Sequence, residues 1–320
     1  MPTIPKTMRA AAIAKFGPPS VLKIRELPVP RVGRRDILIR IDTAGVGSWD
    51  AEMRGGWWPS GKPRFPLVLG TDGAGVVAAV GAGVRRFRPG DRVQAYEFGG
   101  GRSGFYAEYV SVPERAVGRP PRRMSLRDAG AMTATGLTAL QGVDDALRLR
   151  RGETVVIHGA SGAVGTLALQ FAKRRGARVI ATATGRDGIA LVRRLGADAA
   201  LDGRRRDLAD EIRRHAPRGV DAVLAFAGGN LPACLDALKE KGGRVAHPNG
   251  VAPAPRKRRG VSVTAYDAQG GPKRFLALKR ASEASRLRVP IGASYRLADA
   301  AKAQRRVEDH VLGKVVLRVR

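Results

Sequence analysis

Cysteine is almost missing from this chain, and histidine and aromatic residues are scarce. The single cysteine, Cys234, excludes an internal disulfide and a four-cysteine zinc site. It falls on the apolar side of a predicted helix and reads as a buried, inert thiol. The four histidines, His158, His215, His247 and His310, are scattered without the spacing of metal ligands and read as structural or surface residues. Aromatics make up 5% of the chain, so a platform for stacking nucleic-acid bases is poorly supplied. Long apolar runs are also absent. No segment approaches the ~18 residues that a membrane span needs, and Met1 to Lys6 lacks the apolar stretch of a secretory signal. These absences point to a soluble cytoplasmic protein with no membrane partner.

Negative charge is short as well: 28 acidic residues face 58 Lys and Arg, for a formal charge of +30. The arginines gather at Arg85-Arg86, Arg122-Arg123, Arg148 to Arg151, Arg204 to Arg206 and Arg256 to Arg259. A solvated, arginine-rich surface accounts for this spread. The competing reading is attraction to RNA or DNA, which would be mostly electrostatic. No helix-turn-helix, zinc-finger or RNA-recognition signature supports it. A positive surface also steers a multiply charged nucleotide toward its site.

What the chain does have is a glycine-rich turn between a strand and a helix. Thr154 to Ile157 is a short β-branched run of the buried parallel-strand type. Val164, Leu167, Ala168, Phe171 and Ala172 then form one apolar helical stripe. Between them, His158-Gly159-Ala160-Ser161-Gly162-Ala163-Val164-Gly165 offers backbone amides at the positive end of a helix dipole, which suits a pyrophosphate. The cofactor-binding candidates here are Ala160, Ser161, Gly162, Ala163 and Val164. Gly165 lets helix and strand pack closely. Strand and helix patterns alternate downstream, through Arg178 to Thr182, Ile189 to Leu195, Ala199 to Leu201, Asp207 to His215, Val220 to Phe226, Leu231 to Lys239 and Gly243 to Ala246. That alternation predicts an α/β fold with a doubly wound parallel sheet.

The first 120 residues read differently. Met8 to Ala14, Val21 to Arg25, Ile37 to Asp42, a glycine-punctuated Val68 to Val80, a strand entered through Pro89-Gly90-Asp91-Arg92-Val93, and Ala107 to Val112 are short strands with Gly and Pro turns. They predict an antiparallel, barrel-like domain. Pro120-Pro121 marks a boundary, and Asp128 to Ala146 is helical. Leu297 to Glu308 is a helix, and Lys314 to Val319 is a last strand that returns to the first domain.

Six motifs then occur in an ordered series: Gly70-Thr71-Asp72-Gly73-Ala74-Gly75-Val76-Val77, Pro89-Gly90-Asp91-Arg92-Val93, Tyr106-Ala107-Glu108-Tyr109-Val110, Gly136-Leu137-Thr138-Ala139, the Gly159 to Gly165 turn, and Gly313-Lys314-Val315-Val316-Leu317. Together they resemble the medium-chain dehydrogenase/reductases, in the zinc-free quinone oxidoreductase (zeta-crystallin-like) branch. The resemblance implies a GroES-like β-barrel catalytic domain over 1–120 and 272–320, and a Rossmann NADP(H)-binding domain over 121–271. It also implies an active-site cleft at their junction. Zinc enzymes of the family carry Cys where this chain has Gly47 and His where it has Thr71, so no metal is expected. Without a Lewis acid, a conjugated acceptor is favoured, because its enolate or quinol oxygen can be held by hydrogen bonds. The expected partner is a small planar quinone or enone. An enoyl reductase of lipid or polyketide metabolism is an alternative. The resemblance further implies a homodimer paired along Val261 to Tyr266.

The expected cofactor is NADPH. An NAD enzyme presents an acidic residue about 18–20 residues past the last glycine. Here the strand ends in Ala183-Thr184-Gly185-Arg186, where Thr184 and Arg186 suit a 2′-phosphate. Gly228, Asn249 and Lys314 match cofactor-proximal positions of the family, each with a turn or packing role as the alternative.

No residue is assigned as catalytic. The pocket candidates are Gly47, where the family often has Asn, and Ser48, a substitute donor. Glu52 is a proton donor if burial raises its pKa, with water as the simpler source. Trp58, with Trp57, supplies either an apolar wall for a flat ring or aromatic core packing. Asp50 is expected to cap the short helix that follows Gly47.

Overall fold

A computed structural model of the chain describes residues 3–58, 61–98, 104–309 and 311–320. His310 lies outside the described residues. Two compact units emerge, one of Met1–Ala134, Gly270–Lys279 and Ile291–Arg320, the other of Thr135–Gln269 and Arg280–Pro290.

The first unit opens with β1 (Thr7–Ile13), β2 (Lys23–Pro28), β3 (Asp36–Val46), α1 (Ser48–Gly55), β4 (Leu67–Val68), β5 (Asp72–Val80), β6 (Arg92–Tyr96), β7 (Tyr109–Pro113) and β8 (Val117–Gly118). Every pairing among these strands is antiparallel. β3 takes β5 and β7 as partners, and most of its side chains are buried, including Ile37, Ile39 and Ile41. The expected Val68 to Val80 segment is split into β4 and β5 by Gly70, whose φ of +95° only glycine adopts readily. The expected strand at Val21 starts later, because Pro18 and Pro19 set a 3₁₀ turn over Pro19–Val21.

The boundary expected at Pro120 lies further along. Helix α2 (Leu126–Gln141) begins on the first unit: a Cβ on Gly130 would meet the Thr43 side chain at 2.9 Å, and the Ala134 amide donates to Asp72 Oδ2 at 2.9 Å.

The second unit contains β9 (Thr154–His158), α3 (Gly165–Arg174), β10 (Arg178–Ala183), α4 (Gly185–Arg194), β11 (Ala199–Asp202), α5 (Leu208–His215), β12 (Ala222–Ala225), α6 (Leu231–Asp236), β13 (Gly243–Pro248) and β14 (Val261–Tyr266). The sheet order is β11-β10-β9-β12-β13-β14, all parallel. Chain order reverses at β9, the switch point where a doubly wound sheet opens a crevice at its carboxyl edge. β9 is central, and its Val155, Val156 and Ile157 are fully buried, as its unbroken apolar run requires.

The chain ends with α7 (Pro272–Ser285), β15 (Ile291–Arg296), α8 (Ala300–Glu308) and β16 (Lys314–Arg318). β16 returns to the first unit, antiparallel to β3 and parallel to β15. Residues 280–290 belong to the second unit, a correction to the 272–320 segment expected from sequence. They are fastened there by Gln170, whose amide donates to the Arg288 carbonyl and accepts from its N–H, both at 2.9 Å. No helix among the described residues is long and apolar enough to cross a membrane.

Candidate functional site

In the second unit the predicted nucleotide residues collect at the carboxyl edge of the parallel sheet. The turn after β9 is fixed from both sides. Gly159 takes φ +76°, its amide donates to Thr182 Oγ1 at 3.2 Å, and the Ala160 amide donates to the Thr182 carbonyl at 2.8 Å. A Cβ on Gly165 would stand 2.6 Å from Ala160 Cα, so the close packing of helix on strand depends on its missing side chain. Gly162, Ala163 and Val164 are half-buried at the entry to α3, where first-turn amides lack intrahelical acceptors. Small residues at the positive end of a helix fit a pyrophosphate.

The neighbouring strand ends in Ala183, which is buried, followed by Thr184 and Arg186, both exposed at the start of α4. Arg186 has no ion-pair partner among the described residues. Sequence reading missed Asp202, the parallel-register partner of Ala183. Its Oδ1 accepts the Arg204 amide at 2.9 Å, so that oxygen is committed to its own turn. Asn249 is exposed past β13 and donates to Asp267 Oδ2 at 2.7 Å. Gly228 has a packing reason to be glycine, since a Cβ there would overlap the Ala252 carbonyl.

His158 and Cys234 lie in the interior of this unit. His158 Nδ1 is 2.8 Å from Thr182 Oγ1 and 3.5 Å from Cys234 Sγ. Burial lowers the imidazole to about 4 and raises the thiol to about 12, leaving both neutral at pH 7.

The first unit holds a buried acid cluster. Asp50 is the third residue of α1 and closes the helix start as expected: its Oδ2 accepts the Gly47 amide at 2.8 Å. The same oxygen accepts the Tyr106 hydroxyl at 2.9 Å. Asp50, Asp72 and Tyr106 are completely buried, and Lys314 is nearly so. Burial pushes Asp50 up to about 7 against the opposing Gly47 amide, with Asp72 adding to the rise and Lys314 and Tyr106 opposing it. Asp72 is raised by burial and opposed by Lys314 and the Ala134 amide. Asp50 therefore exchanges its proton near neutrality, and with Oδ2 accepting twice, Oδ1 is the oxygen left to carry it. Lys314 belongs to this cluster, its ammonium 5.0 Å from the Trp49 ring centre.

Glu52 is exposed, which removes the burial a proton-donor role calls for; the buried acid is Asp50, two residues earlier. The clue in sequence was its place three residues past Gly47, read there only as a cap. Gly47 and Thr71 are both tied to Trp49. A Cβ on Gly47 would run into the indole, and the indole N–H donates to Thr71 Oγ1 at 2.7 Å. Ser48 is exposed. The two neighbouring tryptophans part company: Trp58 packs against the barrel core, whereas Trp57 is 49% exposed. Among the described residues no group of three or more His, Cys, Asp or Glu could hold a metal ion.

Residues 33–122 match the alcohol dehydrogenase GroES-like domain family, and residues 163–248 match the zinc-binding dehydrogenase family. A quinone oxidoreductase of Rattus norvegicus is 34% identical, over 77% of this chain and 74% of that protein. The chain belongs to the medium-chain dehydrogenase/reductases, in their quinone oxidoreductase group. An NAD-dependent alcohol dehydrogenase structure is 33% identical with a TM-score of 0.89, covering 98% of this chain and 100% of that one. A mycobacterial structure complexed with NADPH is 29% identical with a TM-score of 0.85, covering 97% and 99%. The chain is an NAD(P)-dependent oxidoreductase with a GroES-like barrel and a Rossmann unit.

Proposed function

We propose that this oxidoreductase is an NADPH-dependent, zinc-independent reductase of quinones or α,β-unsaturated carbonyl compounds. The end of β10 carries the cofactor half of the reading. It offers an exposed guanidinium at Arg186 and a hydroxyl at Thr184, with alanine at the acidic position. NADPH fits the site through the 159–164 turn for the pyrophosphate, Thr184 and Arg186 for the 2′-phosphate, and residues near Gly228 and Asn249 further along the same edge. The nicotinamide supplies the hydride.

The acceptor half rests on the relatives named quinone oxidoreductase and on the residues at the two metal-ligand positions of the family. Gly47 has no side chain, and Thr71 Oγ1 is occupied by the Trp49 indole N–H. With no Lewis acid, the developing oxyanion must be delocalised, which a quinone or enone does by itself. Asp50, titrating near 7 on the helix that Gly47 opens, is the acid of the first unit best suited to resupply a proton. β14, at the end of the parallel sheet, supports pairing with a second copy. The single buried thiol accords with a cytoplasmic setting.

The test is the loss of NADPH absorbance at 340 nm with a small quinone, with NADH in parallel and a chelator present. Rapid, NADPH-selective, chelator-insensitive oxidation is expected. Activity restored only by added zinc, or confined to simple alcohols, would overturn the reading.

A further inference from the structure

The first unit carries a cavity of about 370 Å³ lined by Arg9, Arg296, Arg318 and Arg320. Among the described residues no acidic side chain lines it. The rest of its lining is apolar and includes the buried Leu297 and Val319, with Ile24, an isoleucine left 41% exposed. Its size suits a small organic molecule.

Sheet register brings the central pair of arginines together. β15 and β16 run parallel and end with Arg296 and Arg318 as register partners. Such partners have backbones roughly 5 Å apart, so two like charges open onto one cavity. Both side chains are exposed, and neither has an ion-pair partner among the described residues. Acids close by in chain or sheet are engaged elsewhere. Glu108 holds Arg9 at 2.9 Å, and Asp299 holds Lys302 at 3.0 Å. Asp42, whose carbonyl accepts the Val319 amide, has Oδ1 taken by the Thr43 hydroxyl at 2.7 Å. Two unanswered guanidinium groups beside apolar surface call for a doubly charged oxyanion with a carbon body, and their planar forks suit phosphate oxygens. β16 starts at Lys314 in the acid cluster and reaches the cavity four residues later, about 13 Å along the strand, so the two places are distinct.

We propose that this cavity is a binding site for a small organic phosphate monoester, its head between Arg296 and Arg318 and its carbon body against Leu297, Val319 and Ile24. The site is independent of the reductase reading and holds whether or not the protein reduces quinones. Charge selects the head, because a dianion answers both guanidinium groups and a monoanion only one. Apolar contact selects the body.

Calorimetry on the intact protein at low salt tests it, with octyl phosphate as the probe. Saturable binding is expected, with octanoate and inorganic phosphate each roughly tenfold weaker. Arg296→Gln and Arg318→Gln should each weaken octyl phosphate by roughly five- to twentyfold, a charge-assisted contact discounted for solvent. Ile24→Ser should weaken octyl phosphate by roughly threefold and leave inorganic phosphate unmoved. Without ligand, the thermal midpoints of both arginine variants should match or exceed wild type, since each relieves a like-charge pair; this separates lost binding from lost folding. An octyl phosphate midpoint unchanged in both arginine variants would overturn the site. So would binding that weakens in Arg186→Ala but not in Arg318→Gln, which would place the anion in the second unit. Octanol binding as tightly as octyl phosphate would overturn the role given to the arginines.

Discussion

The phenol of Tyr106 donates to Asp50 Oδ2 across 2.9 Å, and neither residue is accessible to solvent. Gly70 makes room for this pair: a Cβ there would press on the Tyr106 ring. A glycine of the sequence motif thus serves the placement of a buried acid.

Asp50 should give the folded protein a particular pH dependence. Its carboxyl titrates near 7 when folded and near its ordinary 3.8 when unfolded. Between those values the folded state binds the extra proton, so this residue's contribution to stability falls as pH rises from about 4 to about 7, then levels off. The full span corresponds to roughly 4 kcal/mol. Denaturant unfolding of wild type and Asp50→Asn from pH 4 to 8 should show the stability difference shifting in the variant's favour as pH rises. A constant difference would count against the assignment.

Gly165→Ala should destabilise the second unit. The added methyl meets Ala160 Cα at 2.6 Å, backbone that cannot swing aside. A loss of about 1–3 kcal/mol is expected, read as a lower thermal midpoint. NADPH affinity, measured by calorimetry, should fall with it, because the displaced turn is the one proposed to hold the phosphates.

Arg186→Ala tests cofactor choice. The side chain is exposed and makes no ion pair among the described residues, so its removal should spare stability. A charge-assisted hydrogen bond of roughly 1.5–3 kcal/mol predicts that the NADPH-to-NADH ratio of kcat/KM narrows by about ten- to a hundredfold. An unchanged ratio would remove Arg186 from the site.

Cys234 should resist thiol reagents in the folded protein. Its sulfur is buried, burial raises it to about 12, and the nearby His158 is neutral and cannot favour a thiolate. Labelling by dithiodipyridine should track global unfolding across a urea series, whereas prompt stoichiometric labelling in buffer would contradict this burial.

The parallel sheet was legible because its strands are short apolar runs followed by strong turn signals, as at Val156-Ile157 and Gly159. β15 escaped notice: Ile291-Gly292-Ala293-Ser294-Tyr295-Arg296 lacks a clean alternation and is defined by pairing with β16. The residues at the carboxyl edge of the parallel sheet could be read from local pattern, since each strand delivers its own. The acid cluster could not, because Asp50, Asp72, Tyr106 and Lys314 are far apart in sequence and meet only through tertiary packing. Glu52 looked like the better acid because sequence shows a carboxylate but not its burial.

The route of the final strand has a consequence for synthesis. β16 supplies the partner for the Ala44–Val46 end of β3, and β15 lies beyond it. The Rossmann unit, emerging in between, has nearly all its residues in one stretch and can close on itself during translation. The barrel must instead wait, with that edge of β3 uncovered, until Lys314–Arg318 leaves the ribosome. A stalled or truncated nascent chain would therefore display a finished nucleotide-binding unit beside an open, sticky sheet edge, a natural target for chaperones.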